Sequence, residues 1–465
     1  MLNKGDEIEL EIESLAFGAE GVGHYKSPAP EETQKQGLAV FVEDTVPGDV
    51  VKVRIGTKKK TFARGYVIEY INKSPMRIVP RCAHFGKCGG CVLQYLKYED
   101  QLKTKEQHVR DAIKRLGGFD EKLVLPIIRC KEPWFYRNKM EFSFSRSPEG
   151  KLSLGLHVRR RHHDLIELTE CFLLNDYVGG LVARMRDFFR EMDAAKRIPS
   201  EMKLLSLVVR EGKNSGEIMV NLIVENDEPD FCEEFSRLAR EILKGKNLKS
   251  IYLTQIINFK GRPKKIHERV LWGEAVIREE LRLENGRSLK FEISPQAFFQ
   301  PNTRQAEVLY SEALKAAGLS GVETVFDLFC GAGTIGIFCA HAAKKVYGIE
   351  INESAVKNAI MNASLNSISN IEFLAGDVAK ILPSIKDRPD TLIVDPPRNG
   401  MDPKVLELVA DLAAKRIVYV SCNPSTLARD LQLLTKKTGC SLVSVQPVDM
   451  FPQTYHIECV ALLRK

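Results

Sequence analysis

Apolar and polar residues alternate along the first part of the chain with a period of two, which is typical of strands that bury one face. The alternating segments are separated by turn signals such as Pro47-Gly48-Asp49. They predict strands at 7–12, 39–42, 50–55 and 65–71. Short strands separated by turns predict a small, OB-like all-β barrel over residues 1–75.

The middle of the chain, residues 76–290, mixes helical and strand periods. Apolar residues at helical spacing predict a helix near 95–116, and apolar runs predict strands at 204–209, 217–224 and 250–256. This region is expected to form a mixed α+β central domain.

From residue 291 to 465, apolar runs alternate with amphipathic helical segments. Such βαβ units form a parallel sheet that helices cover on both faces. The predicted fold class is therefore α/β, with a Rossmann-like C-terminal domain and a closing hairpin at 442–447 and 457–463. The parallel strands are predicted at 322–328, 345–349, 371–374, 391–394 and 417–420.

Composition narrows the class of protein. The chain has 465 residues, 44% of them hydrophobic, which is enough for several buried cores. It shows neither an apolar run long enough to span a membrane nor the apolar block of a signal peptide, so a cytoplasmic protein without a membrane partner is expected. The net charge of +7 permits a nucleic-acid partner without demonstrating one. Nothing in the sequence indicates an obligate protein partner.

A glycine turn follows the first predicted strand of the C-terminal domain. Gly331, Gly333 and Gly336 satisfy G-x-G-x-x-G, and Glu350 ends the next strand 19 residues after Gly331. An acidic residue there accepts hydrogen bonds from ribose hydroxyls, so either NAD or S-adenosylmethionine is compatible with the pattern. Asp377, after the third strand, is suited to an adenine amino group, and a helix N-cap is an equally good interpretation.

Two later motifs favour methyl transfer over hydride transfer. Asp395-Pro396-Pro397-Arg398 and Ser421-Cys422-Asn423-Pro424 both follow strands, at the edge where open α/β sheets bind ligands. A dehydrogenase has no use for a cysteine at this place. An aminomethyltransferase is expected to carry an aromatic residue after the two prolines, where this chain has Arg398.

A cysteine and a glutamate together suit the methylation of carbon 5 of uracil. This carbon is a weak nucleophile until a thiolate adds to carbon 6, and Cys422 is the candidate thiol. A base must then remove the proton from carbon 5, and Glu458 is of the right type. A helix N-terminus at Asn423-Pro424 is expected to help the thiol ionise. The alternatives are a buried inert thiol and an ordinary carboxylate at a strand edge.

The motifs in this order resemble those of the RNA uridine-5 methyltransferases that use S-adenosylmethionine. They are Phe299-Gln300-Pro301-Asn302, DLFCGAG at 327–333, VDPPR at 394–398, SCNP at 421–424 and FPQTYHIE at 451–458. Members of this family modify 23S ribosomal RNA or the T-loop of transfer RNA. Its ribosomal members also carry an N-terminal RNA-binding barrel of the TRAM type, matching residues 1–75.

The resemblance implies a class I methyltransferase domain over 291–465, with Cys422 as the nucleophile and Glu458 as the base. It implies that S-adenosylmethionine is surrounded by Gln300, Phe329, Glu350 and Asp395, with Asp377 as a further contact. For Asp395, orienting the uracil or capping a turn is an equally good interpretation.

Three cysteines, Cys82, Cys88 and Cys91, lie close together in a loop rich in glycine. Spacing alone does not choose between Cys130 and Cys171 as a fourth ligand, and four thiolates suit either zinc or an iron-sulfur cluster. The resemblance implies a [4Fe-4S] cluster on Cys82, Cys88, Cys91 and Cys171. Its expected role is structural or RNA-positioning, because methyl transfer involves no electron transfer.

RNA contact is predicted at Tyr136-Arg137-Asn138-Lys139, where Arg137 and Lys139 follow two aromatic residues. A solvated strand end has the same appearance. Phe299, or its neighbour Phe298, is expected to stack on the target base, which must leave its own stack to reach Cys422.

The predicted function is methylation of carbon 5 of a uridine in 23S ribosomal RNA, favoured by the N-terminal barrel. The T-loop uridine of transfer RNA is the close alternative. Cytosine methylation is disfavoured because VDPPR lacks the cysteine that such enzymes place in this motif. A non-catalytic RNA-binding or ribosome-assembly protein is the alternative of a different class.

Overall fold

A computed structural model describes residues 2–26, 37–147, 149–198, 202–225, 231–258, 264–284 and 286–465. The first six strands pair in the order β1-β5-β6-β4-β3-β2. They are β1 (Glu7–Glu11), β2 (Ser14–Leu15), β3 (Gly21–Tyr25), β4 (Leu38–Val42), β5 (Val50–Lys58) and β6 (Phe62–Asn72).

This sheet closes into the predicted barrel because the stretch that contains β1 and β2 pairs with strands at both ends of the sheet. Strand β1 pairs with β5, and its continuation β2 pairs with β3. The alternation in the sequence becomes alternation in burial: in β1, Ile8 and Leu10 are buried while the residues between them are exposed. The inward-facing side chains form a core of their own.

The central region contains one helix followed by strands and helices in mixed order. Its elements are α1 (Tyr98–Arg115), β7 (Lys139–Arg146), β8 (Leu152–Val158), β9 (Arg161–Ile166), α2 (Tyr177–Ala194), β10 (Lys203–Glu211), β11 (Ile218–Glu225), α3 (Cys232–Ile242), β12 (Leu248–Ile257), β13 (Lys265–Gly273), β14 (Ile277–Arg282) and β15 (Ser288–Ile293). Seven strands form a sheet in the order β13-β12-β11-β10-β7-β8-β9, and β14 pairs with β15. Helices α2 and α3 pack on one face of the seven-stranded sheet.

The last part of the chain has the predicted α/β architecture. Its elements are α4 (Thr303–Ala317), β16 (Thr324–Leu328), α5 (Thr334–Ala340), β17 (Lys345–Glu350), α6 (Glu353–Leu365), β18 (Ile371–Ala375), α7 (Val378–Ile381), β19 (Thr391–Val394), α8 (Pro403–Asp411), β20 (Arg416–Ser421), α9 (Pro424–Thr438), β21 (Ser441–Val448) and β22 (Glu458–Arg464). The sheet order is β18-β17-β16-β19-β20-β22-β21. Helices cover both faces: α1, α8 and α9 one, and α4, α5 and α6 the other.

The closing hairpin does more than end the sheet. Strand β22 inserts between β20 and β21 and is antiparallel to both. Its first residue, Glu458, therefore lies at the same edge of the sheet as the last residue of β20, Ser421.

Helix α1 precedes the central sheet in sequence but packs on the C-terminal domain. Its residues Val109 and Ile113 are buried in one cluster with Leu427 and Leu431 of α9. The division of the chain near residues 75 and 290 stays a prediction, since this helix joins the two later regions.

The barrel is attached to the central region through charged contacts and an apolar cluster. Arg159 donates to Asp44 Oδ1 at 2.6 Å, and Arg160 pairs with Glu43. Asp49 of the barrel is fully buried and accepts at 2.6 Å from Nη2 of Arg77, which follows the barrel. Apolar barrel residues such as Leu15 are buried in one cluster with residues 93–96 of the central region.

None of the helices in the described ranges is both long and apolar enough to cross a bilayer.

A buried ion pair ties α1 to the segment before Glu458. Lys105 is fully buried, and its Nζ donates to Asp449 Oδ1 at 2.6 Å and to the carbonyl of Phe451 at 2.9 Å. Tyr98 donates to Asp449 Oδ2 at 2.6 Å. Because both charges are buried, removing one partner leaves the other without compensation.

We expect Lys105→Met to lower the free energy of unfolding by about 3–5 kcal/mol, because Asp449 then stays buried and unpaired. Urea-unfolding curves followed by circular dichroism measure this change. The double variant Lys105→Met/Asp449→Asn should recover part of the loss. The matched control is Lys103→Met on the same helix, whose exposed pair with Asp100 should contribute about 0–1 kcal/mol. Equal losses in the two single variants would contradict the assignment.

Candidate active site

The glycine turn after β16 is tightly constrained. Phe329, Gly331 and Gly333 all have left-handed backbone conformations, with φ of 64°, 55° and 74°. At Gly333 a Cβ atom would lie 2.6 Å from the ring of Phe373, so only glycine fits. The turn leads directly into α5 and leaves the backbone open to a ligand on its outer side, where a Cβ on Gly331 would meet no atom within 4 Å.

Glu350, at the end of β17, is held against this turn. Its Oε2 accepts from the backbone N–H of Gly331 at 3.0 Å, and its Oε1 accepts from that of Asn352 at 2.8 Å. Each carboxylate oxygen keeps a further acceptor position. The predicted ribose acceptor is therefore placed beside the glycine turn with its orientation fixed.

Asp377 caps a helix, as the alternative interpretation of this residue predicts. It is the N-cap of α7, and its Oδ1 accepts from the backbone N–H of Ala379 at 2.8 Å. The residue is exposed, so its second oxygen remains accessible. Capping and adenine contact are thus compatible, and the adenine contact stays a prediction.

Asp327 is a buried carboxyl group to which the sequence analysis gave no role. It is fully buried in β16, and its Oδ2 accepts from the backbone N–H of Gly336 at 2.8 Å. Burial, followed by the charge of Asp395, raises the pKa of Asp327 to about 8. Its place inside an apolar strand was the available signal, because a charged residue there needs a specific partner.

Cys422 and Glu458 are brought together by the pairing of β20 with β22. Ser421 is paired with Cys459, so Cys422 and Glu458 lie one residue beyond this pair on the two neighbouring chain segments. The charge of Glu458 acts on the Cys422 thiol, which agrees with their closeness. Cys422 is half-buried, and Glu458 is buried.

Arg398 and Asp395 complete this cluster from the β19 side. Asn423 Nδ2 donates to the carbonyl of Arg398 at 3.1 Å, which links the VDPPR and SCNP motifs. The charges of Asp395 and Arg398 both act on Cys422 and on Glu458. Four residues from three separate motifs therefore face one another at the carboxyl edge of the sheet.

Electrostatics in this cluster keep protons on its acidic groups. Burial, followed by the charges of Glu458 and Asp395, raises the pKa of the Cys422 thiol to about 11. Burial raises the pKa of Asp395 to about 7, and burial together with Asp395 raises the pKa of Glu458 well above its usual range. The expected ionisation of Cys422 by a helix N-terminus is thus outweighed by the desolvation of the thiol.

The FQPN segment joins the cluster to the central sheet. Asn302 caps α4, and its Nδ2 donates to the carbonyl of Met450 at 3.0 Å. Gln300 accepts at its backbone carbonyl from Asn138 Nδ2 at 2.7 Å. Phe299 packs on Phe291, with ring centroids 5.9 Å apart.

Phe298, the neighbour of Phe299, is 65% exposed. The more buried Phe299 is thus partly used in packing, and Phe298 presents the freer ring.

The four predicted cluster ligands, Cys82, Cys88, Cys91 and Cys171, line one small cavity. The pKa of each of these thiols is raised, mainly by burial, and the pKa of Cys91 is raised to about 12. The charges of these thiols act on one another, which agrees with their closeness.

The donor set suits an iron-sulfur centre, but the cavity between the thiols measures about 20 Å³, room for roughly one water molecule. Across the described ranges, no three His, Cys, Asp or Glu side chains converge closely enough to bind a single metal ion. A cluster would require the loop with Gly86, Gly89 and Gly90 to move outward.

Two of the aromatic residues before Arg137 contact Arg81, the residue directly before the cysteine loop. The guanidinium of Arg81 lies 4.3 Å from the ring centroid of Phe172 and also covers Trp134 and Phe135. Tyr136 is buried and donates to the carbonyl of Pro452 at 3.1 Å. Arg137 and Lys139 face a separate cavity of about 610 Å³ that Phe298 and Phe299 also line.

Comparison with protein families finds two matches along the chain. The family model described as tRNA (Uracil-5-)-methyltransferase matches residues 97–381 and 384–465, and the TRAM domain matches residues 2–68.

Similar proteins extend over the same length. An uncharacterized RNA methyltransferase of Clostridium tetani is 38% identical, covering 100% of this chain and 99% of the relative. One of Halalkalibacterium halodurans is 37% identical, covering 99% and 98%. Among solved structures, the tRNA (uracil-54, C5)-methyltransferase of Pyrococcus abyssi in complex with S-adenosyl-L-homocysteine is 26% identical with a TM-score of 0.72, covering 98% of this chain and 100% of that one.

We expect alkylation of Cys422 by iodoacetamide to speed up about tenfold per pH unit between pH 7 and 10, because only the thiolate reacts and its pKa lies near 11. Arg398→Gln should slow the reaction several-fold at each pH, because loss of this positive charge raises the thiol pKa further. Peptide mass spectrometry measures both rates. Lys404→Gln, which removes an exposed charge nearby, is the control. A rate that is already constant above pH 8 would refute the assignment.

Proposed function

Because the chain belongs to the RNA uracil-5-methyltransferase family and carries its TRAM domain, we propose that it methylates carbon 5 of a uridine in 23S ribosomal RNA, in the cytoplasm, through a covalent bond to Cys422. The enzyme is an S-adenosylmethionine-dependent RNA methyltransferase, like the relatives it matches over its whole length. The observation that carries the proposed mechanism is the position of Cys422 opposite Glu458.

The methyl donor would lie at the carboxyl edge of β16 and β17. Gln300, Phe329, Glu350, Asp377 and Asp395 would hold it, with Glu350 accepting from the ribose. S-adenosylmethionine supplies an electrophilic methyl group and leaves as S-adenosylhomocysteine. Its positive charge would also lie near the carboxyl groups of Asp395 and Asp327, whose pKa values are raised mainly by burial, and would favour their charged forms.

The reaction on uracil follows from the two facing side chains. In the substrate complex the Cys422 thiol and the Glu458 carboxyl must first release their protons to solvent, which the positive charges of the methyl donor and of Arg398 favour. The thiolate of Cys422 then forms a bond to carbon 6, and the electron pair of the C5–C6 double bond moves toward the carbonyl oxygen at carbon 4. Carbon 5 uses this electron pair to bond the methyl group. The carboxylate of Glu458 takes the remaining proton from carbon 5, the double bond forms again and the bond to sulfur breaks, which returns the thiolate. The proton ends on Glu458, whose high pKa makes its carboxylate a strong base.

Two surfaces support RNA as a large substrate. In the barrel, Lys58, Lys59 and Lys60 are exposed at the junction of β5 and β6. Arg137, Lys139 and Phe299 line the cavity of about 610 Å³ in the central region. We assign these residues to RNA contact, since cations beside an aromatic ring suit single-stranded RNA.

RNA in which 5-fluorouridine replaces uridine should trap the enzyme, because fluorine cannot be removed as a proton. We expect a covalent complex, stable on a denaturing gel, with a 23S rRNA transcript and none with a tRNA transcript. Cys422→Ala should abolish it, whereas Cys440→Ala, a buried cysteine at the far end of α9, should not. With ordinary RNA, Glu458→Gln should accumulate the methylated adduct that wild type resolves.

The other outcomes are equally informative. Because the Pyrococcus abyssi tRNA enzyme aligns with 98% of this chain, a complex with the tRNA transcript alone would move the target to transfer RNA. No complex with either RNA, despite binding to both, would favour a non-catalytic RNA-binding protein. Trapping by Cys422→Ala would refute the mechanism.

We also propose that Cys82, Cys88, Cys91 and Cys171 bind a [4Fe-4S] cluster that orders the loop beside the RNA-contact cavity. The support is the donor set: the three thiols of the glycine-rich loop and the thiol of Cys171 line one cavity. Four deprotonated cysteines are the usual ligands of such a cluster.

Anaerobic purification should yield brown protein with about four iron and four sulfide per chain. Cys88→Ser should lose most of the iron, and Cys130→Ser, a buried cysteine outside the cavity, should keep it. One zinc per chain, or neither metal, would overturn the proposal.

A further inference from the structure

The cavity of about 610 Å³ lies on the face of the central sheet opposite α2 and α3. Its floor includes Lys139 of β7 and Arg210 of β10, which are paired neighbours in the sheet. Arg137 lies at one side, and the exposed ring of Phe298 at the other. We call this space the central cavity.

Arg210 is a buried cation without a counter-ion. Arg210 is only 3% exposed. Its Nη2 donates to the carbonyl of Ala297 at 2.7 Å and to that of Pro295 at 3.4 Å. Its Nε has no hydrogen-bond partner, and neither does the buried Nε of Arg137. Over the described ranges, no carboxylate forms a salt bridge with Arg137, Lys139 or Arg210.

The charges in the central cavity are unbalanced. Glu141 is the carboxylate that faces Lys139, and its Oε1 already accepts from Ser206 at 2.8 Å. Burial lowers the pKa of Arg210 to about 10, and burial together with Arg210 lowers that of Lys139. The charge of Arg137 acts on the thiols of the cysteine loop, and the two remaining cations against one carboxylate leave a net positive site that an anion would neutralise.

The central cavity also adjoins the reaction centre. Arg137 forms a β-bridge with Asn302 of the FQPN segment, and its charge acts on His456, two residues before Glu458. The charge of Arg398, which acts on Cys422, acts on His456 as well. An RNA strand that places its uridine at Cys422 would therefore have its flanking backbone near these cations.

We propose that the central cavity binds a backbone phosphate next to the target uridine, with Lys139 and Arg210 neutralising its charge and Phe298 packing on the adjoining base. The inference rests on the proposed RNA methylation. Guanidinium and ammonium groups suit a phosphate, because the former donates two hydrogen bonds and the latter supplies a compact charge. An aromatic ring beside them suits a nucleotide more than a free anion.

The first test measures RNA affinity against salt concentration. The probe is whichever unmodified transcript, 23S rRNA or tRNA, the wild-type enzyme methylates. Lys139→Gln should reduce the slope of log affinity against log salt by about 0.7–0.9, the value for one lost phosphate contact. The KM of Lys139→Gln should rise on the order of tenfold with little change in kcat, since a phosphate contact stabilises the bound RNA equally in the ground state and in the transition state. Lys436→Gln, an exposed cation at the far end of α9, is the control.

Arg210 needs a second variant because it also holds the 295–297 turn. Arg210→Gln should lower the salt slope as Lys139→Gln does, and Arg210→Lys should restore most of it by restoring the charge. Binding of S-adenosylhomocysteine should be unchanged in all variants that fold. If Arg210→Lys and Arg210→Gln weaken RNA binding equally with an unchanged salt slope, the residue only supports the turn.

A chemical change in the RNA locates the contact. In a synthetic fragment, phosphates that flank the modified uridine are replaced one at a time by uncharged methylphosphonate. At one position, the methylphosphonate replacement should weaken RNA binding by the wild type on the order of tenfold. The same replacement should weaken RNA binding by Lys139→Gln less than about twofold. Equal losses in both proteins at every position would overturn the proposal. Failure of wild type to methylate either transcript would instead overturn the proposed function.

Discussion

The antiparallel pairing of β20 with β22 is the constraint on which the candidate site depends. It sets the end of one strand, Ser421, beside the start of another, Glu458, although 37 positions separate them in the chain. A shift of this register by one residue would turn every side chain of β22 to the opposite face. Because alternate side chains of β22 pack into two separate cores, such a shift would exchange the two sets and disrupt both cores, so the packing of the domain enforces the geometry of the site.

The segment between β21 and β22 is held in turn by the rest of the molecule. Lys105 of α1 binds Asp449, Gln101 exchanges hydrogen bonds with Gln453, and Val92 donates to the same residue's carbonyl at 2.9 Å. Asn302 holds Met450 from the other side. Parts of the chain far apart in sequence thus contact the nine residues, 449–457, that precede the predicted base. The cysteine loop ends at Cys91, directly before Val92, so its conformation is connected with this segment.

The sequence predicted the elements better than their assembly. Alternation revealed the barrel, and apolar runs revealed the parallel strands, because burial imposes those patterns locally. The insertion of β22 beside β20 could not be read from a hairpin pattern, which does not say which strand of the pair meets the sheet. Lys105 also escaped detection, since a lysine in an amphipathic helix usually faces water and its partner lies 344 residues away. Arg210 was missed because it belongs to no motif, although its place in an apolar strand was a signal of the same kind as that of Asp327. The motifs did identify Cys422 and Glu458, whose roles stay predictions.

The surroundings of Cys422 have a consequence for the durability of the protein. Peroxide and related oxidants attack thiolates far faster than thiols. Burial and the neighbouring carboxyl groups keep this sulfur protonated. The same buried, acidic surroundings therefore protect the sulfur from oxidation. Under the proposed mechanism its thiolate forms only beside the cationic methyl donor, so its exposure to oxidants is confined to turnover.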